Sequence, residues 1–347
     1  MKVLHLLNSK QFSGAENVVC QIINMMRNEK NMDMLYCSPD GPIREVLEER
    51  NIPYFPISSL TVREVRRVIK AYAPDVIHAH DFTAGVISAV AAGRIPVINH
   101  LHNNAPWLQT ICPKSIIYGL CSMRFWKILT VSDSVMDEYV FGKLQKGKTM
   151  IVGNPINLRE IREKAQEGTW DTPCEVAFLG RLTEAKNPQM FVEIMHELSK
   201  KMPSVRAVMI GEGELRGEVE RKIQTLNMES GITMCGFQKN PYPILNRAKV
   251  LCMPSVWEGF GMAAVEMLTL GKPVVAAPVG GLAHIVNDAC GKLCRDCADY
   301  VDELYRLLSE DAVYQKKCQG ALDRAQDFDN TEQYKQLLCR VYRTVKA

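Results

Sequence analysis

Residues 255–281 read SVWEGFGMAAVEMLTLGKPVVAAPVGG. A Gly-Phe-Gly turn at 259–261 leads into a helix expected to begin near Gly261, and an apolar strand follows at once. Two carboxylates, Glu258 and Glu266, stand eight residues apart around that turn. Eight residues is just over two helical turns, so Glu258 falls on the lip of the loop and Glu266 just inside the helix. Both then face the space into which the first turn of the helix directs its unused N–H groups.

The same strand-turn-helix rhythm extends in both directions. In the first half, strands are expected at KVLHLLN (2–8), MDMLYCS (32–38), VIHAH (76–80), PVINHLH (96–102) and KILTVS (127–132), with helical patterns such as AENVVCQIINMMRN and TVREVRRVIKAY between them. Gly153, Asn154 and Pro155 break the pattern and mark a linker. A second series follows: CEVAFLG (174–180), VRAVMIG (205–211), ITMCGF (232–237), KVLCMP (249–254) and PVVAAP (273–278). The simplest account is an α/β chain of two Rossmann-like, doubly wound domains, 1–153 and 154–329, facing each other across a cleft. A last helix over 330–347 is expected to pack back across the junction. Such sheets bind ligands outside the carboxyl ends of their strands.

At 347 residues the chain is long enough for two cores, and its 23% charged residues are ordinary for a globular protein. No apolar run approaches a membrane span. MKVLHLLNS reaches a polar loop too soon for a signal peptide and reads as a first buried strand, so a cytoplasmic protein is expected. The net charge of +3 is too small to suggest nucleic acid. Residues 1–153 hold 17 Lys+Arg against 13 Asp+Glu and the rest 25 against 26, so the mild basicity lies in the front half. The twelve cysteines are scattered through apolar contexts and read as reduced core thiols. Cys290, Cys294 and Cys297 have iron–sulfur-like spacing without an obvious fourth ligand, and are read as structural.

Three strand ends of the second domain carry chemistry. FLGRLTEAKN presents Gly180, Arg181 and Lys186, MIGEGELRG presents Gly211, and PSVWEGFGMAAVE presents the two acids. Two cations, exposed amides and two carboxylates suit a sugar nucleotide. The cations and a helix N-terminus offset a diphosphate, and the carboxylates accept hydrogen bonds from hydroxyls.

These residues resemble the retaining GT-B glycosyltransferases of glycosyltransferase family 4. The resemblance rests on Glu258-x7-Glu266 with Gly-Phe-Gly after the first acid, and on Gly180-Arg181 followed by Lys186. SGAENV, DVIHAHD, NHLHN and PVVAAPVGGLAHIV extend it along the whole chain. His284 departs from the pattern, because an acid is usual there. The resemblance implies a catalytic set of His102, Arg181, Lys186 and Glu258. It implies a donor-binding set of Gly14, Gly180, Gly211, Gly259, Phe260, Gly261 and Glu266. Glu258 would contact the donor sugar and Glu266 the ribose, while Arg181 and Lys186 would stabilise the departing diphosphate. His102 would sit near the acceptor and the reacting carbon. It further implies a nucleotide-sugar donor (UDP being the commonest), a glycan or lipid-linked acceptor, transfer with retention, and no metal or other cofactor.

Other patterns are set aside. His78, His80 and His100 read as structural histidines. Gly211, Gly213 and Gly217 mimic a dinucleotide loop without a partner acid. HAHD suggests a metal cluster, but one strand alternates its faces and no further ligand is evident. Asp327 and Asp329 read as capping residues. A non-catalytic nucleotide-sugar module and an NAD-dependent oxidoreductase are the rival classes. Arg63, Arg66, Arg67 and Lys70 form one face of a helix, read either as solvated or as a contact to anionic membrane, with Arg124, Trp126 and Lys127 nearby.

Overall fold

Apolar runs of four to seven residues, too short for helices, become strands buried on both faces. The computed structural model describes residues 1–172 and 174–345. The chain divides into two units, Met1–Pro155 together with the C-terminal segment from Thr331, and Ile156–Asn330.

Among the described residues the first unit has seven strands: β1 (Lys2–Leu6), β2 (Asp33–Pro39), β3 (Tyr54–Ile57), β4 (Val76–His80), β5 (Val97–Leu101), β6 (Phe125–Thr130) and β7 (Thr149–Ile151). They are parallel, in the order β3-β2-β1-β4-β5-β6-β7. The second unit has β8 (Val176–Leu179), β9 (Ala207–Ile210), β10 (Ile232–Gly236), β11 (Val250–Met253), β12 (Val274–Ala276) and β13 (Gly291–Leu293), parallel in the order β10-β9-β8-β11-β12-β13. In each sheet the chain winds outward one way and then restarts beside its first strand. The order therefore reverses between β1 and β4, and again between β8 and β11.

Alternation divides the second core in two. Ala177, Val208, Ile210, Leu251, Met253 and Val274 pack on one side of the sheet. Val176, Phe178, Ala207, Met209, Val250, Cys252 and Val275 pack on the other. Successive side chains point to opposite faces, so a strand needs an apolar residue at every position to bury both. This division also disposes of the iron–sulfur spacing: Cys290 lies in the first cluster and Cys294 in the second, with β13 between them.

Three strands escape the sequence reading. β3 contains Pro56, which argues against a strand in sequence, and β7 and β13 are three residues each. The last helix, Thr331–Thr344, buries Tyr334, Leu338, Cys339, Val341 and Tyr342 and belongs to the first unit. The Tyr342 hydroxyl lies 2.7 Å from His78 Nδ1, and Lys335 pairs with Glu29 at 2.8 Å. Residues 346 and 347 of the expected helix lie outside the described residues.

Candidate active site

The residues singled out in the second unit gather where its strand order reverses. Arg181 and Lys186 follow β8, and Glu258 follows β11, its neighbour in the sheet. The two loops are tied by a hydrogen bond from Val256 N to Ala185 O, 2.9 Å. Lys186 Nζ and Glu258 Oε2 form an ion pair with only 20% and 12% of their side chains exposed. Arg181 is exposed and has no ion-pair partner among the described residues. A fixed, half-shielded pair thus stands beside a free guanidinium, a group suited to bidentate contact with phosphate oxygens.

Gly261 caps the helix Met262–Thr269 with φ 99°. L side chains rarely adopt that conformation, and a Cβ there would lie 2.9 Å from Leu282 Cδ2. No side chain caps this helix start; Ala264 N donates to Gly261 O at 3.0 Å, and the amides ahead of it are the ones suited to an anion. Gly259 is buried and Phe260 half-buried. The Phe260 ring packs edge-on to Phe328, 6.2 Å between centroids, which leaves its backbone as the part able to meet a ligand.

Gly211 (φ 140°) has a structural cause of its own: a Cβ there would fall 2.0 Å from Gly180 O. Gly180 N in turn donates to Ile210 O, 3.0 Å, and Leu182 N to Glu212 O, 3.0 Å. The dinucleotide-like glycine spacing is explained by this strand-end packing, which holds the Gly180–Arg181 backbone in place. Glu266 lies in the second turn of its helix, half-buried, and accepts a hydrogen bond from Tyr242 Oη at 3.1 Å. Burial pushes its carboxyl up to about 7, against the opposing effects of Tyr242 and Lys164. Tyr242 was not legible in sequence, because nothing marks a tyrosine 24 residues upstream as the partner of this acid. The His284 side chain is exposed. Asp327 is paired with Arg324 at 2.7 Å.

In the first unit Gly14 opens the helix Gly14–Met26, and no atom of the described residues lies within 4 Å of the place its Cβ would take. Nothing in the described structure itself requires glycine there. His102 follows β5, half-buried, with its backbone N–H donating to Asp81 Oδ1 at 3.4 Å. Asp81 directly follows β4 at φ 68°, a strained conformation for a non-glycine residue and of the kind that clusters at functional sites. In sequence it is only the last residue of HAHD, since backbone strain leaves no composition signal.

The HAHD reading needs correction. His78 and His80 are two apart and share a face of β4, and the neighbouring parallel strands set His5 beside His78 and His100 beside His80. With His102 this makes five clustered rings, neighbours lying 4.2 to 5.5 Å apart between centroids. His5–His78–His80 and His80–His100–His102 each bring three ring nitrogens within 4.8 Å of one another. Further ligand-type groups were therefore present. They were hidden because they come from β1 and β5, the neighbours of β4 in the sheet but not in the sequence.

Two doubly wound parallel units in series, with cations and acids at the strand-order switch of the second, form the architecture of a GT-B glycosyltransferase. The model for glycosyltransferase family 4 matches residues 12–160 and that for glycosyl transferases group 1 matches residues 160–321. The chain belongs to the family-4 type of GT-B glycosyltransferases. It is 22% identical to the UDP-Gal:alpha-D-GlcNAc-diphosphoundecaprenol alpha-1,3-galactosyltransferase of Escherichia coli, over 93% of this chain and 92% of that protein. It is also 22% identical to the GalNAc-alpha-(1->4)-GalNAc-alpha-(1->3)-diNAcBac-PP-undecaprenol alpha-1,4-N-acetyl-D-galactosaminyltransferase of Campylobacter jejuni, over 95% of each. In fold it is similar to Anabaena HepE, solved in complex with UDP-glucose, with a TM-score of 0.85 and 20% identity over 99% of this chain and 100% of that one.

Proposed function

We propose that this glycosyltransferase moves a hexose from a UDP-sugar to a glycan or lipid-linked acceptor, retaining the anomeric configuration and using no metal. The observation that carries this reading is the meeting of Arg181, the Lys186–Glu258 pair and an uncapped helix start at one strand-order switch. The E. coli relative's name pairs a UDP-sugar with a diphosphoundecaprenol-linked acceptor, and HepE was solved with UDP-glucose, which favours the same substrate classes here.

The second unit takes the donor and the first the acceptor. As the glycosidic bond to the diphosphate breaks, charge grows on the leaving phosphate. Arg181, Lys186 and the amides of Gly259, Phe260 and Gly261 stabilise that charge more than the ground state. Glu258 accepts from sugar hydroxyls while holding Lys186 in place, and Glu266 accepts from the ribose. Gly180 and Gly211 shape the loop that aims Arg181. Gly14 leaves room for phosphate and acceptor, and neutral His102 hydrogen-bonds near the reacting carbon. The leaving phosphate oxygen takes the acceptor's proton on the same face. A nucleotide-sugar panel scored for binding and slow hydrolysis tests the reading: one UDP-sugar should be preferred, and activity should survive EDTA. Loss with EDTA and rescue by Mg²⁺ or Mn²⁺ would refute the metal-free mechanism.

Glu266 gives the reading a pH signature. Its carboxyl titrates near 7 in the folded chain against 4.5 for a free glutamate. Between those values the folded state holds a proton that the unfolded state lacks, so stability falls as pH rises through that window. Ribose hydroxyls bind the ionised form, so affinity for a UDP-sugar, whose diphosphate has no group titrating near 7, should rise roughly tenfold from about pH 6 to about pH 8. Calorimetric titration with that UDP-sugar should show proton release in the wild type and a flat profile in Glu266→Gln. An unchanged slope in the variant would remove Glu266 from the ribose site.

We place the enzyme at the cytoplasmic membrane face, by way of a surface other than the basic helix. In the helix Val62–Tyr72, Arg67 is paired with Glu64 at 2.8 Å, which suits a solvated face. The stretch 111–126 instead exposes Ile111, Ile116, Ile117, Leu120, Met123 and Trp126, the first to 71%. Lys114 and Arg124 lie within it and Lys127 follows it, the arrangement of an interfacial segment with basic anchors. No helix among the described residues is long and apolar enough to cross a membrane. Leu120→Glu with Trp126→Ser should abolish sedimentation with anionic vesicles, whereas Arg63, Arg66, Arg67 and Lys70 changed to Gln should weaken it only slightly. Equal binding by the first variant would overturn the placement.

A further inference from the structure

Three of the five clustered histidines are joined end to end. His5 Nδ1 lies 3.0 Å from His80 Nε2, and His80 Nδ1 lies 2.9 Å from His102 Nε2. The inner two are buried on β1 and β4, and the third stands half-buried at the carboxyl end of β5, beside the strand-order switch of the first unit. Both nitrogens of His80 are used, and a neutral imidazole has one N–H and one lone pair. His80 must therefore donate on one side and accept on the other, which gives the whole row a direction.

Two directions exist. Running inward, His102 donates to His80 and His80 to His5, and a His5 Nε2–H is left in the core. Running outward, His5 donates to His80 and His80 to His102, a bare lone pair is left at His5 Nε2, and the N–H falls on His102 Nδ1. Neither terminal nitrogen has a hydrogen-bond partner among the described residues. His5 is fully buried in the core, whereas His102 is half-buried at the end of its strand, so only the outward direction puts the unpaired N–H where a ligand can accept from it. We propose that the His5–His80–His102 row fixes the tautomer of His102, making Nε2 its acceptor and Nδ1–H a donor presented to a hydroxyl or phosphate oxygen of the substrate. His5 and His80 are positioning residues in this scheme. The direction and the substrate contact both rest on the reading of His102 given above, and the tautomer can be measured apart from transfer.

Burial keeps all three rings neutral: those of His5 and His102 titrate near 3, and His80 is also lowered. A charged ring would break the one-way order. His102 Nδ1 is buried with no partner among the described residues, as a donor awaiting a ligand would be. A resident metal ion is a poorer account of the same nitrogens. The 2.9 and 3.0 Å spacings are hydrogen bonds that already use the lone pairs, and neither three-histidine group includes a carboxylate to offset a buried ion.

The test is long-range ¹H–¹⁵N spectroscopy of the full chain labelled at histidine, with the His102 signals identified by their loss in His102→Gln. At neutral pH, Nδ1 of His102 should carry the proton. His5→Phe and His80→Gln should each shift His102 toward the Nε2–H form. His78→Gln, in the same cluster but outside the row, should not. His102 protonated at Nε2 in the unaltered chain, a tautomer indifferent to both substitutions, or Co²⁺ uptake that alters these signals would each overturn the proposal. Transfer should fall about tenfold in His5→Phe, one hydrogen bond's worth, with UDP binding intact. A shifted tautomer with undiminished transfer would instead count against the role of His102.

Discussion

Arg181→Ala should lower sugar transfer by roughly 30- to 1,000-fold while leaving the melting temperature unchanged. The range corresponds to about 2–4 kcal/mol of charge stabilisation made only as the diphosphate departs. The fold is spared because Arg181 is exposed and has no ion-pair partner among the described residues. Lys186→Ala should cost a similar factor in transfer and, unlike Arg181→Ala, should also destabilise the chain. It leaves Glu258, 12% exposed, without its cation, at a cost of about 1–3 kcal/mol. Lys186→Met combined with Glu258→Gln removes both charges and should recover much of that stability without recovering transfer. Turnover near the wild-type value in either single variant would remove the residue from the diphosphate clamp.

The second large effect comes from two glycines that look alike in sequence. Gly211→Ala should destabilise the second unit by about 2–6 kcal/mol, on the order of 10 °C in melting temperature. The new Cβ would lie 2.0 Å from Gly180 O, a backbone atom held in the sheet and unable to yield as a side-chain tip can. Gly14→Ala should leave stability unchanged, because no atom of the described residues lies within 4 Å of its Cβ position, yet should reduce transfer by crowding the ligand. Thermal melts of both variants decide the matter. A stable Gly211→Ala would contradict the packing account, and a fully active Gly14→Ala would remove that residue from the site.

Much of the fold could be read directly, because a strand buried on both faces is mostly apolar, and ten short, mostly apolar runs are present. The strands that escaped are short or carry Pro56, and depend on neighbours for their pairing. The motif residues Arg181, Lys186, Glu258 and Glu266 were found through spacing and resemblance. Their pairings were not: the Lys186–Glu258 bridge joins residues 72 apart. The histidine row was missed for a geometric reason. Alternation along a strand separates neighbouring residues, but His78 and His80 are two apart and share a face, and register with β1 and β5 brings the other rings to them.

The most direct test of the central claim is a thermal melt with UDP against one with NAD, run on the wild type and on Arg181→Ala. UDP at about a hundred times its Kd should stabilise the wild type by about 2.7 kcal/mol. NAD should do nothing, and the UDP effect should shrink in Arg181→Ala. Stabilisation by NAD with none by UDP, in a well-folded wild type, would contradict the account.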